Sequence, residues 1–200
     1  MSVFQIYLQL GFFHIFNLQA YDHLVFLLAL CAPYVASDWR RVVALVTSFT
    51  VGHSLTLALA TLGVVHYSPA LIEVLIPITI LLTAGLNLRR AGQPEAEPKR
   101  PTLVLTGPNL LAAGFGLIHG LGFSSYLREL LGRQSRPVLE LLAFNVGVEL
   151  GQLLIVAFIL LTGFGVLRLL GATRRSWVLV MSGAAGGIAA VLLLQNLTAG

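Results

Sequence analysis

Long apolar runs with very little charge inside them decide what this chain can become. Leu153 to Leu161 contains no polar side chain, and comparable runs recur at about residues 20–36, 41–64, 69–88, 103–125, 137–163 and 176–197. Each is near the roughly 20 residues a helix needs to cross a bilayer. Surfaces that are apolar all round cannot be hidden in water by the few charges available. Hydrophobic residues make up 57% of the 200 and charged residues 10%, whereas a soluble domain carries about 25% charged residues. A soluble globular protein is therefore excluded. A membrane β-barrel is disfavoured as well, because the runs are continuous instead of alternating at about every second residue.

The expected fold is all-α: a polytopic membrane protein in which residues 1–200 form one bundle of about six transmembrane helices. Residues 3–16 are too short for an independent span and read as an interfacial or re-entrant helix leading into the first. Residues 91–102, rich in proline and charge, read as a flexible cytoplasmic loop. Met1 to Tyr7 holds no Lys or Arg and no small-residue cleavage site, so no removable signal peptide is expected. Cys31 is the only cysteine, which rules out an intramolecular disulfide and leaves it a packing role. A net charge of +4 would suggest nucleic acid in a soluble protein. Here the basic residues sit between apolar runs, so they report topology and no nucleic-acid partner is expected.

Nine of them share one side: Arg40, Arg41, Arg89, Arg90, Lys99, Arg100, Arg168, Arg174 and Arg175. Three, Arg128, Arg133 and Arg136, fall on the other. By the positive-inside rule both termini are extracytoplasmic, which in a Gram-negative bacterium means the periplasm. Membrane lipid is then the first partner. Nothing in the sequence sets an oligomeric state.

Polar groups inside apolar runs are the functional signal, since an ionisable side chain at the bilayer centre costs about 2.5–3.5 kcal/mol even on a lenient scale. His14, Asp22 and His23 stand at the mouth of the first span, His53 lies in the second, Glu73 in the third, His119 in the fourth, and Asn145 and Glu149 in the fifth. Asn145 and Glu149 are four apart and Gln152 continues their helical face. At about 1.5 Å per residue, Asp22, His23 and Glu73 are shallow, His119 and Asn145 lie a third of the way in, and His53 and Glu149 reach the midplane. All fall in the outer half, as a cavity opening outwards requires. The inner half offers only weak polar groups such as Thr83, Asn87 and Thr162.

Imidazole with carboxylate suits a divalent transition metal such as nickel, cobalt or zinc; magnesium and calcium call for oxygen ligands and copper(I) for sulfur. Candidate ligands are His14, Asp22, His23, His53, His119 and Glu149. Glu73, Asn145 and Gln152 are candidates for hydrogen-bonding to the imidazoles and orienting them. His66, beside Tyr67, Ser68 and Pro69, reads as a solvated loop residue. Gly116 and Gly120 form a small-xxx-small pair suited to close helix packing. Glu129 and Glu140 read as interface charges near the outer arginines.

Several blocks taken together, Gly11-Phe12-Phe13-His14-Ile15, Tyr21-Asp22-His23-Leu24, Phe49 to Thr56, Phe115 to Phe123 and Phe144 to Gln152, resemble the HupE/UreJ family of bacterial membrane proteins, in matching order over about residues 11–155. The resemblance implies a bacterial inner-membrane protein linked to nickel or cobalt uptake for hydrogenase and urease. It also implicates His14, Asp22 and His23 in metal recognition, because the family motif pairs a histidine with a following Asp-His. In that motif the histidine stands closer to the pair and follows a glycine; here the interval is longer and Ala20 stands near that place.

Two functions are open at this point. A permease would capture a divalent ion from outside and release it inwards, although an almost apolar inner half offers it little to travel along. An intramembrane zinc-dependent hydrolase would generate hydroxide from metal-bound water, with Glu149, Glu73 or Asp22 as base and Ser54, Ser124 and Ser125 as polar neighbours or oxyanion stabilisers, acting on a lipid or a membrane-embedded peptide.

Overall fold

Within a bilayer every backbone N–H and C=O must be satisfied inside its own segment, which favours helices throughout. The computed structural model describes residues 2–17, 21–91, 106–131 and 137–198, and no strand occurs among them. Eight α-helices follow in order: α1 (Val3–Ile15), α2 (Asp22–Cys31), α3 (Trp39–Thr61), α4 (Pro69–Ala91), α5 (Gly107–Gly122), α6 (Ser124–Leu131), α7 (Pro137–Leu169) and α8 (Arg174–Thr198). Ser2 and Gln5 close a reciprocal capping box at the start of α1, satisfying two backbone donors there. Pro69 and Pro137 open α4 and α7, where a missing N–H costs nothing.

Among the described residues four helices are long and apolar enough to cross a membrane, and the pair α5 and α6, bent by 50° at its break, makes a fifth if it is one span. The expected spans at 41–64, 69–88, 137–163 and 176–197 appear as α3, α4, α7 and α8. The span expected at 20–36 does not. α2 has only 10 residues and α1 13, which is about 15 and 20 Å at 1.5 Å per residue against a hydrocarbon core of about 30 Å. Pro33, two residues beyond Cys31, has no N–H to give the Ala29 carbonyl and disfavours continuing the helix, and α2 stops where the apolar run does not. The loop expected at 91–102 lies outside the described residues beyond Ala91.

The helices pack as three principal pairs, α1 on α7, α3 on α5 and α4 on α8, with α2 inserted against α4, α7 and α8. Glycines set the first two. A Cβ at Gly116 or Gly120 would collide with the backbone carbonyl of Phe49 or His53, and one at Gly52 with that of Ala113. The backbones of α3 and α5 therefore touch, and the Thr56 hydroxyl donates across the seam to the Leu117 carbonyl at 2.7 Å. Gly147 faces Leu8 and Gly151 faces Ile15, so α1 runs alongside α7 in the same sense. Cys31 is buried in the core, as a packing residue would be. Glu140, expected at an interface, is instead 6% exposed beneath α1, with Tyr7 as a neighbour.

One internal proline has a visible remedy. Pro77, in the middle of α4, has no N–H, so the Glu73 carbonyl four residues earlier loses its helical donor. The Asn196 carboxamide of α8 donates to that oxygen at 2.6 Å. The bond is exposed, so Asn196→Leu is expected to lower stability by only about 0.5–1.5 kcal/mol, the net worth of an ordinary hydrogen bond, read as an earlier thermal transition in detergent.

Candidate metal centre

α1 ends, and α2 begins, at the same place in the bundle, and that junction carries the chemistry. His14 stands in the last turn of α1, and Asp22 and His23 in the first turn of α2. His53 comes from α3 and His119 from the last turn of α5. The His23 ring is the hub: its centroid lies 5.0 Å from that of His14, 5.7 Å from His53 and 5.3 Å from His119. Among the described residues two sets of donor atoms lie within 4.8 Å of one another, His14 with His23 and His53, and Asp22 with His23 and His119. All four imidazoles are buried, while Asp22 keeps 19% of its side chain exposed.

Hydrogen bonds indicate which nitrogens are free. His23 Nδ1 lies 3.3 Å from the Asp22 carboxylate, which can only accept, so the proton is on Nδ1 and Nε2 keeps its lone pair. Thr79 of α4 donates its hydroxyl hydrogen to the Ile76 carbonyl at 2.7 Å. At 2.9 Å from His119 Nε2 it must therefore accept from that nitrogen, leaving the lone pair on His119 Nδ1. The nitrogens so freed, His23 Nε2 and His119 Nδ1, together with His14 Nε2 and both nitrogens of His53, are buried and make no hydrogen bond to protein. Buried polar atoms without partners are costly, and an ion bound by neutral imidazoles would remove that cost.

Aromatic rings hold the group in place. Phe123, at the bend between α5 and α6, lies 3.9 Å from the His14 centroid and stacks on Phe144 at 5.1 Å. On the opposite side Phe26 and Phe49 stack at 4.7 Å and lie 5.1 and 5.2 Å from His119.

The other residues singled out in the sequence are distributed around this group. Asn145 stands near His53 without a hydrogen bond to it that meets normal geometry, and donates to its own helix at Leu141. Gln152 accepts from Thr50 at 2.7 Å, one turn from His53. Glu149 is in neither donor set; its carboxylate accepts from Thr47 at 2.6 Å. Glu73 is exposed on α4, as is His66 in the turn before it. Ser54 is half-buried on α3, and the hydroxyls of Ser124 and Ser125 bond Tyr67 at 2.6 and 2.9 Å. Thr79 was missed, although its signal was present: Thr79, Thr83 and Asn87 repeat at four-residue spacing down one face of an apolar helix.

Searches of curated proteins and of solved structures gave no match. The family model described as HupE / UreJ protein matches residues 1–196. With nearly the whole length covered, and the histidine group assembled from blocks spread along it, the chain belongs to the HupE / UreJ protein family.

Proposed function

We propose that the protein is a divalent transition-metal permease of the bacterial inner membrane, with nickel or cobalt as its cargo, loaded from the extracytoplasmic side. The observation that carries this reading is the convergence of four buried imidazoles from α1, α2, α3 and α5 beside the Asp22 carboxylate. Neutral imidazole suits these borderline metals and a single carboxylate suits a site that must also let go. Asp22 holds the His23 tautomer, a role that in metal sites is worth about 10–100-fold in affinity. The arginine-rich end of the bundle, with Arg40, Arg41, Arg89 and Arg90, supports the cytoplasmic assignment of that face.

The test is metal binding in detergent together with flux into proteoliposomes. Asp22→Asn is expected to weaken nickel or cobalt binding by about 10–100-fold, and His53→Ala to abolish flux. Stoichiometric binding by the unaltered protein with no flux of any divalent metal would overturn the permease.

A further inference from the structure

The inner half of the bundle is less dry than its sequence suggests. Thr79, Thr83 and Asn87 stand four residues apart on one face of α4, at 2%, 8% and 5% exposure, and cover about 12 Å of its length at 1.5 Å per residue. Thr79 touches His119. Thr83 donates to the Thr79 carbonyl at 2.8 Å, and the Asn87 nitrogen donates to the Ala29 carbonyl at 2.7 Å. The hydroxyls have thus spent their hydrogens on backbone carbonyls, and the carboxamide has turned its nitrogen to α2. What the stripe has left to offer is oxygen lone pairs, the ligand type a cation accepts.

Thr83 and Asn87 also line a cavity of about 210 Å³ between the ends of α2, α3, α4 and α5, on the arginine-rich side. Arg90 is the cation among its lining residues; it is exposed, where water and salt screen its charge. Between the cavity and the histidines lies an aromatic layer. Phe26 packs on His119 on one side and lies 6.1 Å from Phe115 on the other, and Phe115 itself lines the cavity.

We infer that the Thr79, Thr83 and Asn87 face of α4 is the inward exit route of the cargo ion, with the Phe26, Phe49 and Phe115 layer as the gate between the histidine site and the cavity. This rests on the permease reading and adds to it the path of release. The ion leaves His119 onto the oxygen that holds that imidazole, then descends from one acceptor oxygen to the next into the cavity. The gate separates the two compartments while the site is loaded.

The experiment compares the unaltered protein with Thr83→Val plus Asn87→Leu, near-isosteric changes that remove both oxygens. Nickel and cobalt binding is measured in detergent and their entry into proteoliposomes by a trapped metal-sensitive dye. Binding within twofold of the unaltered protein, with flux reduced at least tenfold and recovered by Thr83→Ser plus native Asn87, is the expected result. Equal flux in the double variant would overturn the route while leaving the permease intact. Binding without flux in the unaltered protein would overturn the permease, and the route with it. If the double variant does not fold, Thr83→Cys in a Cys31→Ser background decides the matter. A charged thiol reagent added on the arginine-rich side is expected to label it, and absence of labelling would overturn the route.

Discussion

His23→Ala is expected to remove nickel and cobalt binding almost completely, by more than about 100-fold in affinity, since even a residue that only orients a metal-binding histidine is worth about 10–100-fold. His23 is the one ring shared by both sets of donor atoms, His14 with His53 and Asp22 with His119. Removing it leaves neither set with three members. It also strands Asp22, whose hydrogen-bond partner in the group is His23 Nδ1. His14→Ala should cost less, because it belongs to one set and the other survives. Isothermal titration of the purified variants measures both, and equal losses for the two would refute a hub at His23.

Gly116→Val is expected to be the most damaging substitution for stability, at about 3 kcal/mol or more, the upper end of what forced overpacking costs. The added Cβ would fall against the Phe49 carbonyl and close to the His53 amide, and neither backbone group can swing away. α3 and α5 must separate. That breaks the Thr56 bond to Leu117 and draws His53 and His119, one on each helix, out of register with His23. Metal affinity and thermal stability should therefore fall together. Gly114→Ala is the control: two residues earlier on the same helix, its Cβ would meet nothing within 4 Å. It should be neutral or stabilising by up to about 1 kcal/mol from helix propensity. A Gly116→Val protein as stable as the Gly114→Ala one would show that the seam is not tight.

The histidine group was readable because ionisable side chains in apolar runs stand out, and because depth follows from position along a span. His14, His23, His53 and His119 do lie together. Glu149 was assigned to the same depth on equally sound grounds; it is in neither donor set, with one carboxylate oxygen accepting from Thr47 and the other buried without a hydrogen-bond partner. Depth is only one coordinate. Which way Glu149 points depends on the rotation of α7 about its axis, and that is fixed by Gly147 and Gly151 lying against α1. His14 shows the converse. Its interval to Asp22 departs from the family motif, but α1 and α2 are separate short helices, so the distance between its ring and that of His23 is set by packing and not by counting residues.

By itself the sequence determined that the chain is helical, with segments long and apolar enough to cross a membrane, and which costly groups sit in or beside them. Hydrophobicity and the 1.5 Å rise of a helix are properties of a single segment. Only the tertiary structure decided that α2 is a ten-residue helix inside the bundle, that Thr79 supports His119, and that His23 is the shared ring. These depend on how helices rotate and approach one another, which no segment specifies alone. Contacts between segments distant in the chain, above all the bare glycine backbones where α3 meets α5, determine it.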